Sequence, residues 1–277
     1  MVRIECLTPR GFCFGVQRAL ELLNNTVDEK PYVLHDIVHN TQIVNDYKKK
    51  GVTFVQNIKD IPDGKTCVIS AHGAPLQTFQ QAQEKNLNIV DATCPLVKKV
   101  HKQVQAFAQQ KRFIVLIGTP NHDETVGTIG HIPENAPYVL ISSPQEAEKL
   151  PNIPLGIVSQ TTWNEDKIQP ILTEIKKHCS DIIYQKGVCQ ATSERQKAVK
   201  EACQWADTLL VVGDEKSANA GQLKQIALER KKQAYILQTQ KDLEGKKIKG
   251  NVAITAAASA PEKIVQDVFK ILKEKHR

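Results

Sequence analysis

Three cysteines in this chain share a setting that suits thiolate chemistry. Cys13 lies in Gly11-Phe12-Cys13-Phe14-Gly15, Cys94 in Asp91-Ala92-Thr93-Cys94-Pro95, and Cys189 opens Cys189-Gln190-Ala191-Thr192. Beyond Cys94, apolar residues Leu96, Val97, Val100, Val104 and Phe107 recur at helical spacing. Pro95 suits the first helical position, since it lacks an N–H and has φ already fixed. Cys94 therefore falls at the helix N-cap. There its sulfur faces unbonded backbone N–H groups and the positive end of the helix dipole, and both favour the thiolate. For any one of the three, a packed core cysteine is the plain alternative.

Polar residues recur behind the cysteines. From Cys13 to His39 is 26 residues, from Cys94 to His122 is 28, and from Cys189 to Ser217 is 28. A second set lies 59 residues on at His72, 67 on at Thr161 and 70 on at Ser259. Asn219 follows two residues after Ser217, and Glu124 two after His122. Histidines, hydroxyls and an amide form a neutral-to-cationic donor set suited to a phosphate or diphosphate. Glu124 is the one carboxylate close to a loop histidine. An acid in a dry pocket keeps its proton to neutral pH, so Glu124 is the candidate proton donor. A loop-capping role is the alternative for each donor singly, and is far weaker for six loops that all end in donors.

Three repeat-related thiolates without a fourth point to a metal centre with an open position. Iron–sulfur clusters normally take four cysteines, so three leave one iron open to substrate. Zinc on three cysteines competes; the wide spacing and the lack of a Cys-x-x-Cys pair favour a central cluster. Cys6, Cys67, Cys179 and Cys203 do not recur. Cys67, in an apolar strand, and Cys203, on a helix, read as packing residues. His101 lies within two helical turns of Cys94, where it could support the site.

Alternating strands and helices must position these groups. Helical patterns cover 16–24, 41–49, 95–110 and the C-terminal stretch, and a fifth holds Ala198, Val199, Ala202 and Trp205. Strand patterns cover 32–34, 51–55, 66–69, 87–90, 113–117, 154–158, 208–212 and 251–254. The polar loops follow strands, where parallel sheets bind ligands. The expected fold is α/β: three small αβα domains with mostly parallel sheets, pseudo-threefold around a central iron–sulfur cluster. The units are 12–93, 94–187 and 188–277, joined by the N-terminal segment 1–11.

The bulk numbers narrow the class. The 277 residues are ample for a core, and 41% apolar with 24% charged content is ordinary for a globular protein. Seven scattered cysteines argue for a reducing compartment rather than a disulfide framework. No run approaches a membrane span and no secretory signal is visible. The net charge of +7 includes no long basic block and aromatics are 5%, so a nucleic-acid partner is not expected. The charge fits a small anionic substrate or an acidic protein.

The motifs Gly11-Phe12-Cys13-x-Gly15-Val16, His35-x-x-Val38-His39-Asn40, Ser70-Ala71-His72-Gly73, Asp91-Ala92-Thr93-Cys94-Pro95-Leu96-Val97, His122-x-Glu124-x-x-Gly127, Ser159-Gln160-Thr161-Thr162, Cys189-x-Ala191-Thr192-x-x-Arg195-Gln196 and Ala258-Ser259-Ala260-Pro261 resemble the LytB (IspH) family of 4-hydroxy-3-methylbut-2-enyl diphosphate reductases. The match is collinear over nearly the whole chain. The resemblance implies an oxidoreductase of the last step of the non-mevalonate (MEP/DOXP) isoprenoid pathway. It implies reductive removal of a hydroxyl from an allylic diphosphate, giving isopentenyl and dimethylallyl diphosphate with two electrons and two protons. It implies one 4Fe–4S cluster per chain on Cys13, Cys94 and Cys189, with Glu124 delivering protons and Thr161 orienting the hydroxyl. His39, His72, His122, Ser217, Asn219, Ser259 and the backbone of Ala218 would hold the diphosphate. Ferredoxin or flavodoxin would supply electrons, in the cytoplasm or, for a mature form, an organelle stroma. The chain departs from the family's usual residues at Ala218 and Ala220, where serines are common, and at Phe14, Ala257 and Trp163. A zinc- or thiol-dependent phosphohydrolase and a redox-sensing iron–sulfur protein are the competing functions. The former would act without an electron source, and the latter would not turn over substrate.

Overall fold

The computed structural model describes residues 2–275; Met1, His276 and Arg277 lie outside the described part. In chain order the elements are β1 (Ile4–Cys6), α1 (Phe14–Asn24), β2 (Tyr32–Leu34), α2 (Thr41–Lys49), β3 (Thr53–Val55), β4 (Thr66–Ile69), α3 (Leu76–Glu84), β5 (Asn88–Asp91), α4 (Pro95–Gln109), β6 (Phe113–Ile117), α5 (Asp123–Ile129), β7 (Tyr138–Ile141), α6 (Pro144–Ala147), β8 (Leu155–Ser159), α7 (Glu165–Lys176), β9 (Ile182–Gln185), α8 (Gln190–Ala202), β10 (Thr208–Val212), α9 (Ala218–Glu229), β11 (Gln233–Leu237), β12 (Val252–Ala256) and α10 (Glu262–Lys275).

The strands build three four-stranded sheets, ordered β3-β2-β4-β5, β7-β6-β8-β9 and β11-β10-β12-β1. All pairings are parallel. The central strands β4, β8, β10 and β12 are buried at every residue, as expected for sheets covered on both faces. All three sheets share one order. In the first two, the strand beside the third member comes next in the chain. In the last, that place is taken by β1, with Ile4 opposite Val252 and Cys6 opposite Ile254.

The described chain packs as two compact units. One comprises residues 2–17, 39–45 and 190–275 and holds the β1-containing sheet; the other comprises 18–38 and 46–189 and holds the other two sheets. In the first unit, β10 and β12 pack with α9 and α10 around Leu210, Val211, Leu223, Ile226, Val265 and Val268. In the second, β6 and β8 contribute to two apolar clusters, around Ile157 and Ile171 and around Val104 and Phe107. Two expectations need correction. Helix α8 ends at Ala202, so Cys203 and Trp205 lie in the turn beyond it. Trp205 is held from outside the helix, against the sheet core and beneath the Arg3 guanidinium, 3.8 Å from its ring.

Candidate functional site

Each of the three cysteines stands immediately before a helix: Cys13 before α1, Cys94 before α4 and Cys189 before α8. Cys94 is the N-cap of α4, with Pro95 in its first turn. The same hydrogen bond recurs at each cysteine. The Cys13 amide donates to Ala258 O at 3.1 Å, that of Cys94 to Ala71 O at 3.0 Å, and that of Cys189 to Thr161 O at 3.0 Å. The acceptors follow the third strand of each repeat: β12, β4 and β8. All three cysteines are half-buried, and no disulfide forms among the described residues. Cys67 is fully buried, and desolvation pushes its thiol up to about 12, as befits a packing residue.

In the larger unit a continuous chain of contacts joins Cys94 to Cys189. Ala71, which holds the Cys94 amide, precedes His72. Gly73 follows at φ +80°, and a Cβ there would meet His101 Cε1 at 2.9 Å. The His72 ring meets that of His122 edge-on, with centroids 5.9 Å apart. His122 caps α5, its Nδ1 accepting the Glu124 amide at 3.1 Å. That bond leaves Nδ1 unprotonated and places the ring proton on Nε2. Glu124 is 3% exposed. Its Oε1 accepts the Thr161 amide at 2.6 Å and its Oε2 pairs with the Thr161 hydroxyl at 2.9 Å. Burial pushes the Glu124 carboxyl up to about 7, against the downward pull of both Thr161 bonds. The Thr161 carbonyl then closes the path onto the Cys189 amide.

The smaller unit makes an equivalent constellation. Ala258 holds Cys13, and the next residue, Ser259, donates its hydroxyl to His39 O at 3.0 Å. Asn40 Nδ2 donates back to Ser259 O at 2.9 Å. The Thr41 amide and hydroxyl donate to Asp214 Oδ2 at 3.0 and 2.5 Å. Burial pushes the Asp214 carboxyl up, but bonds from Thr41 and the Lys216 amide outweigh it and hold it below the usual carboxylate range. Ser217 caps α9, accepting the Ala220 amide, and Ala218 and Asn219 form that helix's first turn. Ser217, Asn219 and Ser259 are all buried. Buried Arg195 donates to Gly11 O at 2.7 Å and Ala256 O at 3.2 Å, fixing the loop that leads to Cys13.

The bonding pattern refines the repeat by one residue at two points. Because Ala71, Thr161 and Ala258 hold the cysteine amides, Thr162 is the positional counterpart of His72 and Ser259. Asn40, which accepts the Ile43 amide at the start of α2, is the counterpart of His122 and Ser217. Sequence reading also passed over Asn40, Asp214 and Arg195 as positioning groups. The first two sit at a helix start and a strand end, where a polar residue was visible but its partner was not. His101 is buried and stacks on His131 with ring centroids 3.9 Å apart.

Such a chain is an α/β protein whose thiols, acid and candidate donors all lie beyond the carboxyl ends of parallel strands, in the loops there or in the first turns of the helices that follow. Comparison with known proteins gives that class a family. A profile of the LytB protein family matches residues 4–273. The 4-hydroxy-3-methylbut-2-enyl diphosphate reductase of Zymomonas mobilis is 36% identical, with 99% of this chain and 83% of the relative covered. The enzyme of the same name from a Wolbachia of Brugia malayi is 38% identical, with 96% and 89% covered. The solved reductase from Plasmodium falciparum superposes with a TM-score of 0.90 at 34% identity, over 98% of this chain and 88% of that one. A solved reductase described as the terminal enzyme of the non-mevalonate pathway gives 0.69 at 33% identity, over 99% and 100%. The chain belongs to the LytB protein family.

Proposed function

We propose that this protein is a 4-hydroxy-3-methylbut-2-enyl diphosphate reductase, the terminal enzyme of the non-mevalonate pathway. It adds two electrons and two protons to the allylic diphosphate, breaks the bond between carbon and the hydroxyl, forms one C–H bond and releases water. The observation that carries the reading is Glu124, buried and protonated near neutral pH, between Thr161 and a histidine-capped helix. It is supported by full-length relatives and solved structures with that activity in their names.

The residues fit a cluster. Three half-buried thiols, none in a disulfide, stand before helices whose N-terminal N–H groups and dipoles favour anionic sulfur. Cys13, Cys94 and Cys189 would hold one 4Fe–4S cluster, which when bound supplies electrons and an iron position open to the substrate hydroxyl. Thr161 orients that hydroxyl. Glu124 holds a proton on its carboxyl, beside the Thr161 hydroxyl, and releases it to the departing oxygen. A water leaving group is far better than hydroxide, which is why the acid must be protonated at working pH. His39, His72, His122, Ser217, Asn219, Ser259 and the Ala218 amide bind the diphosphate. Neutral His122 offers it an N–H at Nε2. Ferredoxin or flavodoxin is the electron donor, and seven reduced cysteines favour the cytoplasm. No described helix is long and apolar enough to cross a membrane.

Anaerobic purification should give a brown protein with about four irons and four sulfides per chain. With reduced viologen it should convert the allylic diphosphate to the two five-carbon diphosphates. A colourless zinc protein, or phosphate release without a reductant, would overturn the proposal.

A further inference from the structure

A reductase must take its electrons from outside, and one face beside Cys94 is built to receive a donor. Helix α4 begins at that cysteine. From Pro95 to Gln109 it carries Lys98, Lys99 and Lys102 and no acidic residue. Leu96 is 43% exposed, and Pro95, Lys99 and Lys102 are exposed along one side of the helix next to it. Among the described residues neither Lys99 nor Lys102 forms an ion pair, whereas Lys98 is bound to Asp91. Arg18, from the same compact unit, donates to Thr93 O at 3.2 Å and adds a further cation one residue from Cys94. Helix electrostatics does not explain these charges, because the first turns of a helix favour acids over lysines. An exposed leucine at the helix start, followed by exposed lysines one and two turns on, has the mixed apolar and charged composition of a docking patch. Lys102 lies eight residues from Cys94, about 12 Å along the helix at 1.5 Å per residue.

We propose that the exposed face of α4, with Leu96 at its Cys94 end and Lys99 and Lys102 along it, is where an acidic electron-carrier protein docks and delivers one electron at a time through the Cys94 end. The inference rests on the reductase reading and names the side from which that site is reduced. Charge complementarity selects the occupant: the patch is wholly basic apart from the paired Asp91, so the partner is acidic. The carrier is oxidised by one electron per encounter, and two encounters complete a turnover.

The test compares two reductants on the cluster-loaded enzyme. An acidic two-iron ferredoxin is used in one arm and reduced methyl viologen, a small cation with no docking surface, in the other. The double variant Lys99→Glu, Lys102→Glu should lose about tenfold or more in kcat/KM for ferredoxin at low salt, as expected when steering charges are reversed. Iron content and viologen-driven turnover should stay at wild-type values. Leu96→Ser should lower ferredoxin-driven turnover at any salt. Added salt should slow the wild type with ferredoxin and narrow its lead over the double variant, whose repulsion of the carrier is screened. Equal ferredoxin rates in wild type and double variant would overturn the docking proposal. Equal losses in both arms would also overturn it, since the lysines would then act on the cluster. Failure of the wild type with viologen would instead strike the reductase reading itself.

Discussion

Replacing Glu124 by glutamine tests the site on two independent scales. In the native protein burial pushes this carboxyl from 4.5 up to about 7. Between those values the folded chain holds a proton that the unfolded chain has lost. Stability from this group is therefore complete below pH 4.5 and falls as pH rises through about 7. At about 1.4 kcal/mol per unit of pH, the loss is about 3 kcal/mol. For a chain of this size that is roughly 5–10 °C in melting temperature between pH 5 and pH 8. Glutamine cannot ionise. It still accepts the Thr161 amide, and its NH₂ can donate to the Thr161 hydroxyl, which turns to accept it. The variant should therefore fold, load iron to the wild-type level and melt higher than wild type at pH 8, with the two close together at pH 5. Its turnover should fall by about 10²- to 10⁴-fold, the span of a positioned general acid. Wild-type kcat/KM should itself decline above pH 7. The assays are anaerobic thermal melts across pH and dye-linked turnover. Wild-type stability that does not fall relative to the variant between pH 5 and pH 8 would refute the burial argument. A variant with near-native rate would refute the proton-donor role.

Thr161→Val removes the hydroxyl that pulls the Glu124 carboxyl down, so the alkaline limb of the rate profile should move to higher pH while kcat falls; a limb that moves down would contradict the assigned bond. Gly187 has no room for a side chain, since a Cβ there would sit 1.9 Å from the Ser159 carbonyl oxygen. Gly187→Ala should cost roughly 1–3 kcal/mol and shift the segment carrying Cys189, leaving less than a full complement of iron on anaerobic analysis. Ala218→Ser adds a hydroxyl at the first turn of α9, where the family commonly has one. It should tighten the diphosphate about three- to tenfold, near 1 kcal/mol, read as a lower KM with kcat little changed.

Much of this arrangement was legible in the sequence because its signals are local. Continuous apolar runs such as Phe113–Ile117 and Thr208–Val212 read as covered strands, and the polar loops after them lie where parallel sheets bind ligands. Pro95 announces its helix start by its own chemistry. The sites that slipped did so by one residue. Thr161 was aligned with His72 through side-chain type, whereas the alignment is set by the backbone bond to Cys189, which no side chain advertises. Helix α9 was hidden because Ala218-Asn219-Ala220-Gly221 has little apolar contrast between faces. Edge strands β7 and β11 are only partly buried, and their apolar runs of four residues are shorter than the five-residue run of β6 beside β7. The place of β1 was beyond local reading, since Ile4 and Val252 are paired across almost the whole chain.

In the proposed reading, the repeated bond to the cysteine amide is what lets three different loops serve one chemistry. A carbonyl just past the third strand takes the cysteine N–H, so the chain must turn there and start a helix with the sulfur beside its first amides. The adjacent loops are built in the same way, since Asn40, His122 and Ser217 each cap the next helix of their repeat. Each helix start is worth about 0.3–1 kcal/mol to a nearby anion. In the proposed reading, thiolates and diphosphate are thus stabilised chiefly by backbone dipoles and neutral donors, with no lysine or arginine among the binding residues. That choice suits a reaction whose substrate and products are all diphosphates. Fixed cations would hold them all tightly and slow release, and binding that is equal for substrate and transition state adds nothing to the chemical step. The discriminating groups are then the two that change during reaction, the Glu124 proton and the hydroxyl it shares with Thr161.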